Sequence, residues 1–171
     1  MSSLKIQAGL AMAIVAVASF SPAAQAAPIS RQIVGTAAGL CTPAFGPSEV
    51  AIRKRPLSVQ NEGSTNAFIT CSFSSQGQPT SAGVYVNSID GAVHTVTCTG
   101  VTSYLTATNQ YSVKSVEVGP GTGQEEIAWA PADFTGTTTN FPSSYFSVSC
   151  GLPPGTGVND IYVSFDEEIG T

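Results

Sequence analysis

The sequence predicts an all-β protein, an antiparallel β-sandwich of about eight or nine strands. Three observations indicate this fold class. Short segments of alternating apolar and polar residues recur along the chain, turn residues separate them, and no stretch has the periodicity of a long amphipathic helix. A partly closed β-barrel built from the same strands is the alternative architecture.

The first 26 residues have the organisation of a secretory signal peptide. Lys5 precedes an uncharged apolar run at 8–20, and Ala24-Gln25-Ala26 provides a small-residue cleavage site. The run is shorter than the roughly 20 residues that a membrane-spanning helix needs. We therefore expect cleavage between Ala26 and Ala27, and no membrane span after it.

Removal of 26 from 171 residues leaves 145, which predicts a single β-sandwich domain at 27–171. Without Lys5 the mature chain has five basic residues against eleven acidic ones. Binding to nucleic acid requires clustered Lys and Arg that neutralise phosphates, so this composition disfavours a nucleic-acid partner.

Four cysteines lie in the mature chain: Cys41, Cys71, Cys98 and Cys150. An even number in an exported chain predicts two disulfides, and three pairings are open. The sequential pairing Cys41–Cys71 and Cys98–Cys150 is favoured, each bond contributing roughly 3.5–4 kcal/mol by loop closure. A zinc site is disfavoured because the chain lacks a C-x-x-C pair and has one histidine, so we expect no metal or other cofactor.

The clearest strand patterns lie at 67–73, 84–86, 94–101, 146–152 and 161–165. The last two, joined by Pro-Pro-Gly-Thr-Gly, are expected to form a strand pair within 144–168. Asp90-Gly91 predicts a hairpin turn. The predicted core consists of Ile52, Leu57, Ile69, Phe73, Val84, Val86, Val96, Val116, Ile127, Trp129, Phe146, Val148, Ile161, Val163 and Phe165.

Two segments have less regular patterns. Residues 49–55 alternate until Pro56 interrupts them, which predicts an exposed or edge strand. Within 111–118 the apolar positions change from odd to even numbers, which predicts a β-bulge near Lys114 and Ser115.

The sequence offers little support for catalysis. His94 is the single histidine and therefore the candidate general base. It shares a strand face with Cys98, and the chain has no G-x-S-x-G motif. The acidic runs at 125–126 and 166–168 hold neighbouring carboxylates that point to opposite faces of a strand, so neither run forms the paired acids of a glycosidase. No calcium-binding loop pattern surrounds them. The glycine-rich segment at 119–123 lacks the Lys-Ser/Thr pair of a phosphate-binding loop.

Aromatic residues offer a better functional hypothesis, because exposed rings stack on sugars. Trp129 shares a face with Ile127, which favours a place in the core. Tyr85 and Tyr162 occupy the outward phase of their strands, and they are the candidate binding residues.

The segments Pro56-Leu-Ser-Val-Gln-Asn-Glu-Gly, Ala67-Phe-Ile-Thr-Cys-Ser, Cys-Gly-Leu-Pro-Pro-Gly-Thr and Glu167-Glu-Ile-Gly resemble a set of small exported bacterial β-proteins without an assigned function. The resemblance covers nearly all of the mature chain and implies export and a β-fold, with no functional residues. In general style the chain is also similar to bacterial surface β-sandwich modules such as pilin and adhesin domains.

These observations predict a periplasmic or extracellular, disulfide-stabilised β-sandwich that acts by binding or assembly, with an unknown protein or glycan as partner. A carbohydrate-binding or adhesin-like module is the alternative, and exposed aromatics clustered on one face would distinguish it. A hydrolase is the least favoured hypothesis.

Overall fold

The computed structural model describes residues 28–103, 108–136 and 139–168; the predicted signal peptide and its cleavage site after Ala26 lie outside them. These ranges form eleven strands and three short helices. They are β1 (Pro28–Thr36), α1 (Ala37–Leu40), β2 (Cys41–Pro43), α2 (Gly46–Ala51), β3 (Ile52–Lys54), β4 (Val59–Asn61), β5 (Ala67–Ser74), β6 (Pro79–Ser88), β7 (His94–Thr102), β8 (Gln110–Val118), β9 (Gln124–Trp129), α3 (Ala132–Thr135), β10 (Tyr145–Leu152) and β11 (Thr156–Glu168).

The strands form two antiparallel sheets, which confirms the predicted sandwich and excludes the barrel alternative. The six-stranded sheet has the order β3-β4-β11-β6-β9, with β1 also paired to β11, and the five-stranded sheet has the order β2-β5-β10-β7-β8. More strands are present than the eight or nine predicted. The strands β2, β3 and β4 have three residues each, too few to show an alternating pattern.

The core lies between the sheets and contains most of the predicted residues. Trp129 is its largest fully buried side chain. Its indole lies against Gly100 of β7, where a Cβ atom would come within 2.8 Å of the ring. The indole Nε1–H donates a hydrogen bond to the carbonyl oxygen of Ser112 at 3.0 Å. Trp129 is therefore a packing residue, as the sequence favoured, and it joins the two sheets.

Two disulfides are present, and both lie within the five-stranded sheet. Cys41–Cys71 joins β2 to β5, and Cys98–Cys150 joins β7 to β10. Each pair occupies directly opposite positions on neighbouring strands. These are the pairs that the sequence favoured. They fix the register of neighbouring strands in one sheet, and they do not connect the two sheets.

Two predicted strand pairs are wrong, because each connection crosses between sheets. β10 belongs to the five-stranded sheet and β11 to the six-stranded sheet, so 144–168 is not a paired unit. Asp90-Gly91 likewise leads from β6 in one sheet to β7 in the other. Gly91 adopts a φ of 76°, as a tight turn requires, but the strands that it connects pair elsewhere.

The predicted bulge in 111–118 is also absent, since β8 pairs with β7 in a continuous register. Tyr111 and Val113 face solvent. Lys114 faces inward at the sheet edge, where its Nζ donates to the carbonyl oxygen of Ala128 at 2.8 Å and to Asp133 Oδ2 at 2.7 Å. In the sequence, an inward Lys114 and outward Tyr111 and Val113 give the same pattern as a strand that changes face at a bulge.

Residues 49–51 belong to α2 and only 52–54 form the edge strand β3, so the alternation at 49–55 predicted the wrong element for its first half. Leu57, predicted in the core, is 68% exposed. It lies in the turn between β3 and β4, which is closed by a hydrogen bond from the Arg55 N–H to the Ser58 carbonyl oxygen at 2.8 Å. Among the described residues, no helix has the length and apolarity to cross a membrane.

Candidate ligand-binding face

The outer face of the five-stranded sheet is rich in hydroxyl groups and aromatic rings. Inward positions of β5, β7, β8 and β10 pack into the core or against its edge, and the intervening positions face outward. We call these outward positions the hydroxyl face: Phe68, Thr70, Ser72, Ser74, Thr95, Thr97, Thr99, Val101, Tyr111, Val113, Ser115, Glu117, Tyr145, Ser147, Ser149 and Gly151. On these four strands, which are described throughout, Glu117 is the one charged member of that set.

A groove of about 260 Å³ crosses this face. The ring of Phe68 forms one wall, and Thr95, Thr97 and Thr99 of β7 line the other. Gly151 forms part of the floor, and a Cβ atom there would approach the Phe68 ring to 3.2 Å. The absence of a side chain at Gly151 therefore lets the ring lean over β10 and leaves the groove open.

The position of Phe68 is fixed by its neighbours. Its N–H donates a hydrogen bond to Ser48 Oγ at 2.9 Å. Its carbonyl oxygen accepts a hydrogen bond from the Ala44 N–H at 2.9 Å. The ring also contacts Phe45, with ring centroids 5.7 Å apart. The wall of the groove is thus held by backbone and side-chain contacts with residues 44–48.

Hydroxyl groups on the face are oriented by one another and by the backbone. Thr97 Oγ1 and Ser115 Oγ lie 2.8 Å apart. Ser149 Oγ donates to the carbonyl oxygen of Ile69 at 3.2 Å. A hydroxyl group has one donor and two acceptor positions, so these contacts leave hydrogen-bonding capacity for a ligand.

A second depression, of about 370 Å³, lies on the same face beside Tyr145. Ser72, Ser74 and Ser147 line it, and Ser147 Oγ donates to Ser72 Oγ at 3.2 Å. Tyr145 is 56% exposed, yet its backbone is held at both polar groups. Its N–H donates to Ser143 Oγ at 3.0 Å, and its carbonyl oxygen accepts from Thr102 Oγ1 at 3.2 Å.

The two tyrosines favoured by the sequence lie together on the opposite side of the molecule, on the outer face of the six-stranded sheet. The ring centroids of Tyr85 and Tyr162 are 5.9 Å apart. The Tyr162 ring lies over Gly83, where a Cβ atom would come within 2.6 Å of it. Its hydroxyl donates to Glu126 Oε1, and the residue is 7% exposed. Burial raises the pKa of the Tyr162 phenol, and the Glu126 carboxylate raises it further.

This arrangement explains Tyr162 as a packed residue and leaves Tyr85 the more accessible of the two. A ligand-binding role for either remains a prediction.

His94 belongs to a loop contact and not to a nucleophilic site. Its Nε2 lies 2.9 Å from Asp90 Oδ1. Asp90 also accepts hydrogen bonds from the Ala92 N–H at 2.9 Å and from Ser88 Oγ at 3.1 Å. The hydrogen bond from the Ala92 N–H and, to a smaller extent, that with His94 lower the pKa of Asp90 to about 2. Cys98, which shares the strand, is held in a disulfide.

Among the described side chains, the acidic runs do not assemble an acid pair. Glu125 and Glu126 lie opposite Val86 and Tyr85 on β6, and these point to different sides of the sheet. Glu167 forms an ion pair with Arg31 Nε at 2.9 Å, and the side chain of Glu168 lies outside the described part of the chain. No group of three or more His, Cys, Asp or Glu suited to a metal ion occurs among the described residues.

The alternating patterns of β5 and β7 give Phe68 and the threonines outward positions, yet the tyrosines that the sequence favoured lie on the other sheet. The signal that could have selected this face was the combination of Phe68 with the alternating hydroxyl residues Thr70 and Ser72 around it. What the sequence did not indicate was that β5, β7 and β10 are neighbours in one sheet.

No family model and no curated protein matches this chain. Among solved structures, it is similar to TmCBM61 in complex with β-1,4-galactotriose, with 11% identity over 80% of this chain and 88% of that one and a TM-score of 0.44. It is also similar to a family 11 carbohydrate-binding module from Clostridium thermocellum in complex with a β-1,3-1,4-mixed-linked tetrasaccharide, with 12% identity over 86% and 92% of the chains and a TM-score of 0.41. Identities this low carry no functional residue across to this chain.

Proposed function

We propose that this protein is an exported, non-enzymatic carbohydrate-binding β-sandwich whose ligand lies on the hydroxyl face. One observation carries the proposal. The aromatic side chains that are well exposed among the described residues are Phe45, Phe68, Tyr111 and Tyr145. Phe68, Tyr111 and Tyr145 belong to the hydroxyl face, and Phe45 packs against Phe68. Exposed rings clustered on one face are what the sequence hypothesis required of a sugar-binding module.

The chemistry of the face suits a sugar. Ligand sites combine apolar and aromatic walls with a few placed polar groups that fix orientation. In the groove the Phe68 ring supplies the apolar surface, and the hydroxyl groups of Thr97 and Ser149 supply donors and acceptors. A pyranose ring presents apolar C–H faces and polar edges, so it matches both kinds of surface at once.

The charge of the hydroxyl face distinguishes between anionic and neutral glycans as ligands. Glu117 is the one charged residue among the outward positions that form the hydroxyl face, whereas the whole chain has a net charge of −5. An anionic sugar would require Arg or Lys, which these positions lack. The face therefore favours a neutral glycan.

The same feature weighs against hydrolysis at this site. Glycoside hydrolysis generally uses two carboxyl groups that flank the bond to be broken. Glu117 has no carboxylate partner among the outward positions of these four strands. Binding without turnover is thus the function that the residues support best.

Export is part of the proposal. It is supported by the signal-peptide pattern at 1–26 and by two disulfides, which persist in oxidising compartments. Cell fractionation with an antibody against the protein tests it. We expect the shortened chain outside the cytoplasm, and an uncleaved cytoplasmic chain would contradict export.

A glycan microarray followed by titration calorimetry tests the binding function. The probes are neutral β-linked oligosaccharides, including galactotriose and the mixed-linkage glucan tetrasaccharide. We expect Phe68→Ala to weaken binding at least tenfold, or about 1.4 kcal/mol. Leu57→Ala, another exposed apolar side chain, is the matched control and should leave binding unchanged.

The proposal is wrong if the folded protein binds none of these probes. It is also wrong if binding survives Phe68→Ala unaltered. Tyr85→Ala separates the two faces, because a loss of binding in this variant would locate the ligand on the six-stranded sheet.

A further inference from the structure

We propose that the hydroxyl face binds an extended segment of a neutral polysaccharide along β10, with one contact site at Phe68 and a second at Tyr145. This inference rests on the proposed function and specifies its ligand as a chain of several sugars.

The two aromatic residues lie near opposite ends of β10, with Tyr145 on that strand and Phe68 beside it on β5. Phe68 is directly opposite Gly151, and Tyr145 comes six residues earlier on β10. At 3.3–3.4 Å per residue the two positions are about 20 Å apart along the strand. A single sugar ring is much shorter than this distance, so one monosaccharide cannot contact both rings.

The path between these rings has no large side chain that would block it. The outward residues of β10 between Tyr145 and Gly151 are Ser147 and Ser149. Ser147 lines the depression at Tyr145, and Ser149 lines the groove at Phe68. Because these two serines are consecutive outward positions, roughly 7 Å apart, the two concave regions adjoin on the face.

The flanking strands continue the same chemistry. Across from Ser147 and Ser149 on β5 lie Ser72 and Thr70. Across from Ser149 on β7 lies Thr99. Val101 lies across from Ser147 on β7. Hydroxyl groups therefore border the path along β5 in a repeat of two residues, and along β7 in the half that is nearer to Phe68. A polymer with regularly repeated hydroxyl groups can form hydrogen bonds at several positions along such a path.

Tyr145 is suited to a binding site because little entropy is lost when a ligand contacts it. Its backbone N–H and carbonyl oxygen are both hydrogen-bonded within the protein, while more than half of its surface is exposed. Tyrosine has only two rotatable side-chain bonds, and it offers an apolar ring with a polar tip.

Titration calorimetry with galactan and mixed-linkage glucan oligosaccharides of two, four and six sugars tests this inference. For the unmodified protein we expect affinity to rise at least tenfold from the shortest to the longest probe. Tyr145→Ala should remove this gain while it leaves the affinity for the shortest probe within twofold. Tyr145→Phe retains the ring and should retain most of the gain.

Phe68→Ala should weaken binding at every length, and Tyr85→Ala on the opposite face is the matched control. Affinity that is independent of length, together with no effect of Tyr145→Ala, would overturn the extended site and leave the Phe68 groove intact. Absence of binding at every length would overturn the proposed function itself. Circular dichroism and thermal denaturation establish that each variant is folded.

Discussion

Removal of the Cys98–Cys150 disulfide is the sharpest test of how the five-stranded sheet is stabilised. The two cysteines are directly opposite each other on β7 and β10, and both are fully buried. They are 52 residues apart in sequence. In the loop-closure treatment, release of a loop of this size lowers the free energy of unfolding by about 4 kcal/mol.

That loss is a large share of the total, because domains of this kind are generally stable by about 5–15 kcal/mol. The variant to test is Cys98→Ala/Cys150→Ala. Its unfolding in guanidinium is monitored by the fluorescence of Trp129. This is the single tryptophan of the chain, and its ring lies against Gly100, two residues from Cys98. The emission therefore reports on the part of the sandwich from which the bond is removed.

Two controls separate the crosslink from side-chain packing. Reduction of a Cys41→Ala/Cys71→Ala variant breaks the Cys98–Cys150 bond alone, without replacement of either sulfur, and it should lower the free energy of unfolding by a similar amount. Thiol titration of the native protein should find no free cysteine. A loss below about 1 kcal/mol, or two reactive thiols in the native protein, would contradict this role of the disulfide.

Two further predictions concern buried aromatic residues. Trp129→Ala opens a large cavity, so it should lower the free energy of unfolding by about 3–5 kcal/mol in urea denaturation. Trp129→Phe should lower it by less, about 1–3 kcal/mol, chiefly because the Ser112 carbonyl oxygen loses its hydrogen-bond donor. Equal losses in both variants would contradict this packing. For Tyr162, the raised pKa means that the folded state favours the protonated phenol, so this contribution to stability is present below the ordinary pKa of 10.0 and is lost as the pH rises above it. Denaturation between pH 8 and 11 should show this loss in the unmodified protein and a smaller one in Tyr162→Phe; identical profiles would argue against a protonated, buried phenol.

The sequence predicted those parts of the fold that depend on local alternation. Ile69 and Cys71 are buried in β5, and Val148 and Cys150 are buried in β10, as their phase required. In these strands each inward residue meets the opposite sheet, so burial follows the two-residue repeat directly.

Local alternation failed where other contacts decide the direction of a side chain. Lys114 faces inward because the edge of the sandwich offers it Asp133 and a backbone carbonyl oxygen. Val113 is 64% exposed on the face of an edge strand, where no second sheet covers it. Neither environment is visible in the residues next to them in sequence.

Local alternation also could not predict which strands are neighbours in a sheet. β10 and β11 follow one another through a short turn, and a pairing between them was the simplest expectation. In the structure they belong to opposite sheets, and β10 lies between β5 and β7, far from it in sequence. The candidate site depends on this placement, because it brings Phe68 from β5 and the threonines of β7 to either side of Gly151.

The pairing of the first and last strands has a mechanical consequence. β1 and β11 are antiparallel neighbours, with Pro28 opposite Glu168. A force that pulled Pro28 and Glu168 apart would act perpendicular to the two strands, and it would break the hydrogen bonds between them one after another. Such a ladder yields at lower force than one loaded along its strands. Both disulfides lie in the other sheet, so neither crosslinks β1 to β11 and neither would delay this separation.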